Sequence, residues 1–334
     1  MHVHFMVPGA STLEHLCDSS LASTRLRIGV AARAINSTKG NECSYGEDVP
    51  GKPIDVILVG KIGANDVERR GDAWLSKLRR ARQEGARLIL DYTDNHLEVP
   101  SSMSNFYREA ISLVDAAVVP SLEMSHRLRK WFSLQVEVIP DSIEYQCTPT
   151  RRSGTTNGIW FGHGSNLQYL VERLGDRNLL ARVESLTICT DQNSLKMLWG
   201  SKVVSCINQI NFIPWSVSNL GAALQNADFA LLPVGLGDKR KSGAGPNRLL
   251  TALAQGLAVF TQNLSSYTPF KDYYLDIDTT GTKIDAITLA EGRIRAGHAQ
   301  VEILADFFPD HLSAGWLNLL IKKKSDRNNI SFTK

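Results

Sequence analysis

Cysteine is scarce and unpatterned in this chain: Cys17, Cys43, Cys147, Cys189 and Cys206 make an odd five, and no two stand in CxxC spacing. Neither a disulfide framework nor a zinc site is indicated, and a reducing cytoplasm is the compartment that fits. A one-sided charge is missing too. The formal balance is +3, too small for a nucleic-acid binder, and no aromatic-basic RNA-binding core appears. No apolar run approaches the roughly 20 residues that a membrane span requires, and MHVHFMVPG lacks the basic segment and long apolar stretch of a secretion signal. The histidines are scattered, with none paired to a carboxylate at helical spacing, so no metal and no cofactor is expected. The first apolar run leads into VPGAST rather than GxGxxG. No acidic residue follows about 20 positions on in a matching frame, which argues against a nicotinamide dehydrogenase.

What is present is the rhythm of an α/β protein. At 334 residues the chain is long enough for two domains. Short runs rich in Val, Ile and Leu alternate with amphipathic stretches, the pattern of parallel strands covered on both faces by helices. Strands are expected at His2 to Val7, Ile54 to Gly60, Arg87 to Asp91, Ala116 to Pro120 and Val136 to Pro140. A second series covers Gly158 to Phe161, Leu186 to Thr190, a run ending at Phe212 and Ile213, Phe229 to Pro233, and Leu257 to Thr261. Between the two series, TPTRRSGTTNG reads as an exposed linker. Two open, doubly wound parallel sheets are expected, in domains 1–150 and 151–308. A helix near 309–322 and a frayed tail at 322–334 complete the chain.

In such sheets the ligand crevice lies beyond the carboxyl ends of the strands. The most informative stretch there is KSGAGPNRLLTALAQGLAVF, Lys241 to Phe260. Gly243 and Gly245 let the backbone approach an anion, Pro246 suits the first helical turn, and free N–H groups at a helix start face a ligand. Lys239, Arg240, Lys241 and Arg248 add charge, with Ser242 and Asn247 between them. The pattern reads as a phosphate cradle, against the plainer account of a loop leading into a core helix.

Other strand ends carry further candidates. In DYTDNH, His96 could relay a proton with Asp94 orienting the imidazole, although Asp94 and Asn95 could equally cap the next segment. Gly162, His163 and Gly164 permit close approach to a phosphate or sugar, as would a plain tight turn. Phe212, Ile213 and Pro214 could face a flat base. Arg25 and Arg27 could reach an anionic substrate, or lie on a solvated helix face. Lys61 ends an apolar strand, where a lysine has no packing reason to be. Asp276 and Asp278 form a chance-level DxD that is set aside. RLRKWF, Arg127 to Phe132, leaves open a solvated face or a peripheral contact with anionic membrane.

Taken in order, STRLRI, DYTDNH, VIPDSIE, IWFGHGS, FIPWS and the stretch from Ala227 to Tyr267 resemble the GT-B glycosyltransferases, and within them the retaining family 4 group. The resemblance covers most of the chain. It implies two Rossmann-like domains facing across a cleft, a nucleotide-diphosphate-sugar donor held mainly by the second, and a glycan, lipid-linked or small-molecule acceptor at the first. Carried over, it places Gly162 near the donor diphosphate, with Lys241, Asn247 and Arg248 neutralising it. Phe212 to Pro214 would face the base, His96 would sit near the donor sugar and acceptor, and Arg25 and Lys61 would line the acceptor side. It also implies a metal-independent, retaining transfer. Charge released on the diphosphate would be stabilised by a preorganised cationic loop.

The chain departs from that family at two positions. Glutamates are usual where it has Thr251 and, eight residues earlier, Gly243. A threonine hydroxyl can hydrogen-bond a ribose but lacks a carboxylate's charge-assisted bonds. Two alternatives follow: a catalytically degenerate scaffold that still holds a nucleotide-sugar, and a nucleotide-sugar epimerase.

Overall fold

A computed structural model describes residues 1–149, 155–200 and 205–322, with residues 199 and 200 described by backbone only. The expected linker falls partly, and the expected tail almost wholly, outside the described residues. The chain forms two compact units, one of residues 1–142, 239–245 and the segment from 307, the other of residues 143–238 and 246–306. The loop Lys239–Gly245 thus belongs to the first unit, although the sequence around it builds the second.

The first unit is a six-stranded parallel sheet of β1 (His2–Met6), β2 (Glu42–Tyr45), β3 (Val56–Val59), β4 (Arg87–Asp91), β5 (Ala116–Val119) and β6 (Gln135–Val138), in the order β2-β1-β3-β4-β5-β6. The strands β1, β3, β4 and β5 are buried throughout, which is why they read as unbroken apolar runs. One face packs on Trp74, Leu78, Phe106 and Tyr107 of the helices Ala64–Gln83 and Ser102–Leu113. The other packs on Ile35 of the helix Gly29–Asn36 and on Leu312, Trp316 and Leu320 of the helix Pro309–Ile321. Arg87 Nη1 closes the end of that last helix, donating to the carbonyls of Leu319 at 2.6 Å and Lys322 at 2.8 Å.

The second unit repeats the plan with β7 (Asn157–Phe161), β8 (Ser185–Thr190), β9 (Gln209–Pro214), β10 (Phe229–Leu232), β11 (Ala258–Thr261) and β12 (Leu275–Asp276), in the order β12-β11-β10-β7-β8-β9, all parallel. The chain winds outward from β7 to β9, then restarts at β10 on the other side of β7. The switch point between β7 and β10 opens a crevice beyond their carboxyl ends. In the first unit the corresponding switch lies between β1 and β3. Two strands were not anticipated, β2 and β12. Both are sheet edges, half-exposed and short, so neither needs an unbroken apolar run.

Candidate functional site

In the first unit, the strand ends gather charge. Asp94 follows β4 and pairs with Lys61, which follows β3. Lys241 Nζ lies 3.8 Å from the other Asp94 oxygen. Burial opposes the charged form of Asp94, but Lys61 and Lys241 outweigh it and hold the carboxyl well below the usual range. Lys61 therefore has its reason for standing at a strand end.

Asp94 does not orient the His96 ring in the way expected. The imidazole instead stacks on Tyr107, with centroids 5.0 Å apart and planes at 2°, while its backbone N–H donates to Tyr92 Oη at 2.8 Å. Burial, then the cations Lys61, Lys241 and Arg240, pull the His96 pKa down to about 4 against the opposing pull of Asp94. The ring is neutral near pH 7, and its Nε2 is buried with no hydrogen-bond partner.

Asn95 is not a cap at the surface. It is 1% exposed, and it holds the loop Lys239–Gly245: its N–H donates to the Arg240 carbonyl at 3.0 Å and its Nδ2 to the Lys239 carbonyl at 3.1 Å. Ser121 Oγ adds a bond to the Gly243 carbonyl at 2.6 Å. Gly243 has φ +87°, and a Cβ there would stand 2.9 Å from the Met124 nitrogen. Glycine is required at that turn.

The two arginines of STRLRI do not lie on a solvated helix face; both are buried. They lie in a single π-helical turn, Thr24–Ile28, a rare form that occurs mostly as single turns. Arg25 Nη1 donates to the Ser19 carbonyl at 2.5 Å. Arg27 donates through Nε to both oxygens of Asp91 at 2.8 and 3.1 Å, lies 3.4 Å from Asp141, and covers the Trp316 ring at 5.5 Å. Burial alone would lower the guanidinium, but Asp91 and Asp141 push it above its ordinary value.

In the second unit, β7 runs into Gly162, whose φ is 157° and where a Cβ would stand 3.3 Å from Arg248 Nη1. That nitrogen is buried and has no hydrogen-bond partner. Arg248 and Asn247 open the helix Asn247–Ala254, with Pro246 at the N-cap position rather than inside the first turn. Thr251 lies on the same helix, 6% exposed. His163 caps the short turn Gly164–Asn166, accepting from Ser165 N–H at 3.2 Å. Lys241 and Ser242 fall in the first unit, whereas Asn247, Arg248 and Thr251 fall in the second.

Asp191 stands after β8. Its carboxylate accepts from Gly164 N–H at 3.1 Å, Ser194 N–H at 3.0 Å and Ser194 Oγ at 2.8 Å, and so fixes the glycine turn. Phe212, Ile213 and Pro214 end β9 at the sheet edge; Phe212 packs against the core, and the Pro214 carbonyl accepts from Asn219 Nδ2 at 3.0 Å. Asp278 of the set-aside DxD pairs with Arg173 and accepts from Gln262 at 2.8 Å. It braces the wall of a cavity of about 330 Å³ lined in part by Tyr169, Arg173, Gly235, Asp238 and Gln262.

Among the described residues, no group of three or more His, Cys, Asp or Glu side chains is placed to hold a metal ion. No described helix is long and apolar enough to cross a membrane. All five cysteines are free.

No family model matches the chain, and no curated protein matches it. Solved structures do. HepE from Anabaena, in complex with UDP, is 10% identical, with 96% of this chain and 100% of HepE covered at a TM-score of 0.61. WaaG, a glycosyltransferase involved in lipopolysaccharide biosynthesis, is 12% identical over 95% of this chain and 99% of its own, with a TM-score of 0.58. TarM from S. aureus, in a complex that includes UDP, is 12% identical with a TM-score of 0.57; the alignment takes in 80% of this chain but only 55% of TarM. At these identities the likeness is one of fold. The fold is the two-sheet α/β architecture of the GT-B glycosyltransferases.

Proposed function

We propose that this protein is a glycosyltransferase that takes its sugar from a nucleotide-diphosphate-sugar donor and passes it, with retention and without a metal, to a glycan, lipid-linked or small-molecule acceptor. The observation that carries this reading is Arg248 Nη1, buried without a partner against the glycine turn that ends β7. A buried guanidinium nitrogen with an unmet donor calls for an anion, and it stands at the first turn of a helix, where the dipole favours negative charge. The UDP in the HepE and TarM structures supports a nucleotide diphosphate as the kind of ligand. Lys241 would add charge to the leaving diphosphate, and Thr251 would meet a ribose hydroxyl. Phe212 to Pro214 would face the base, and Lys61 would line the acceptor side. The neutral His96, with Nε2 unpartnered, would receive a hydrogen bond from the acceptor or donor sugar. Free cysteines support a cytoplasmic setting, where RLRKWF could lie at the inner face of the membrane.

A second reading is a nucleotide-sugar-binding scaffold without turnover. It is favoured by Gly243, whose backbone and neighbours leave no room for the glutamate usual in the family that the sequence resembles. Calorimetry and thermal shift against UDP, GDP, ADP, CMP and their sugar conjugates, with and without chelator, test both. One diphosphate nucleotide should bind in chelator-insensitive fashion. Sugar release from its conjugate then supports the transferase, binding without release supports the scaffold, and binding of none refutes both.

A further inference from the structure

The helix Ala286–Glu302 is apolar on two opposite faces. Leu289, Gly292, Ala296 and Ala299 are buried, with Gly292 against Ala258 of β11. On the outer face, Ile287, Ile294 and Val301 are 78%, 61% and 86% exposed. They recur every seventh residue, which on a helix keeps them in one line to within about 20° per step. Between them stand Ala290, exposed, and Gly297, with nothing within 4 Å of where a Cβ would lie. Large residues at one heptad position and small ones at the other make a seam that a second helix can approach closely. Three isolated apolar residues on a surface need no explanation, but a continuous heptad line does.

We infer that this seam seats a second copy of the chain, antiparallel about a two-fold axis at Ile294. The sequence of the helix is self-complementary under that reversal. Ile287 meets Val301 of the second copy, Ile294 meets its own equivalent, and between these layers Ala290 comes within one residue of Gly297 of the second copy. The flank matches as well: Glu291 comes beside His298 of the second copy. Within its own chain Glu291 is held by Arg295, through bonds of 3.2 and 2.7 Å that both end on Oε1. Its Oε2 is left for the imidazole. An isologous contact of this kind closes on itself and forms no filament. One helix pair with a contact line of about 21 Å buries less than the roughly 1,600 Å² of a standard interface. The dimer is therefore reversible and depends on concentration.

Sedimentation velocity on the full chain between about 1 and 200 μM tests this. The average mass should climb from one chain toward two. Ile294→Glu sets two carboxylates face to face on the axis and should weaken the dimer tenfold or more, since roughly that much follows from losing one well-buried isoleucine contact. Ile294 is exposed, so the variant's unchanged thermal midpoint serves as the folding control. Ile294→Cys under mild oxidant should cross-link into dimers, whereas Ile287→Cys should not; the wild type, with its five free cysteines, is the reference. A chain that stays monomeric throughout, a dimer indifferent to Ile294→Glu, or cross-linking through Ile287→Cys alone overturns the inference.

Discussion

Arg27 grips Asp91 through Nε at 2.8 Å and Nη2 at 2.7 Å, and neither side chain exposes any surface. The pair ties the π-helical turn to the end of β4, where the site begins. Removing one partner leaves the other charge buried without compensation, a loss of roughly 3 to 5 kcal/mol. Arg27→Ala should therefore cost that much in urea unfolding. The double variant Arg27→Met/Asp91→Leu should recover only part of it: the apolar pair carries no desolvation penalty, but Asp141, 3.4 Å from Arg27, still loses its partner. A loss below about 1 kcal/mol for Arg27→Ala, the scale of an exposed pair, would falsify the structural role.

Two histidines make stability depend on pH in the same direction. His96 and His4 each fall from 6.5 to about 4, in both cases chiefly through burial. A group whose folded pKa lies below its unfolded value binds fewer protons when folded, so stability rises with pH. The contribution is whole above about pH 6.5 and is lost as pH falls toward about 4. Urea midpoints measured across that window should drop on the acid side. His96→Gln and His4→Gln should each flatten the curve and together nearly abolish this part of it. An unchanged slope in both single variants would count against these assignments.

Gly243 turns with φ +87°, close to the Met124 backbone. A side chain there adds the left-handed penalty of about 1 to 2 kcal/mol to the collision. Gly243→Glu should lower the thermal midpoint of the purified protein, and Gly243→Ala should do so by less. Gly237→Ala, where a Cβ meets nothing within 4 Å, should leave it nearly unchanged. Equal midpoints in all three would mean that the loop can yield, and that the family's glutamate is absent for a reason other than space.

Much of this architecture is legible in the sequence because strands buried on both faces must be apolar throughout, as VILV and FALL are. Edge strands carry no such demand, and β2 and β12 leave no comparable trace. Lys61 and DYTDNH announce themselves as polar residues at strand ends. Arg27 does not: the carboxylates that make its burial tolerable lie 64 and 114 residues away, and no local pattern separates a paired core arginine from a solvated one. The same holds for Asn95, whose bonds run to Lys239 and Arg240 across 144 and 145 positions, and hence for the loop that it holds in the first unit. Asp191 acts through its contacts with Gly164 and Ser194, and a lone aspartate after a strand gives no signal of that.

His96 offers a test of chemistry apart from stability. If its neutral ring meets the reacting sugars, His96→Ala should cut turnover by more than it weakens donor binding, since general acid–base groups are worth on the order of 10²- to 10⁴-fold. Its stacking on Tyr107 means that packing is lost as well, so His96→Phe serves as the comparison: it keeps the stack and loses the nitrogen. Turnover restored by His96→Phe would assign the residue to packing alone.

Arg248 carries the donor reading, and its substitution tests it most directly. The Nη1 group beside Gly162 has no partner within the protein, so its removal breaks no hydrogen bond made by that nitrogen. Arg248→Ala should weaken binding of the diphosphate nucleotide by about 1 to 3 kcal/mol, the range for a charged hydrogen bond, that is, roughly 5- to 150-fold. Arg248→Lys keeps the charge but not the planar fork and should fall between. Lys241→Ala should weaken binding by a similar amount if that residue also meets the diphosphate. Gly162→Ala presses a methyl group toward Arg248 Nη1, 3.3 Å away, and should weaken binding with the guanidinium still present. Calorimetry at two salt concentrations distinguishes these cases, because a lost cation lowers the salt dependence of affinity and a crowded one does not. Unchanged affinity in both Arg248→Ala and Lys241→Ala removes the diphosphate from both residues.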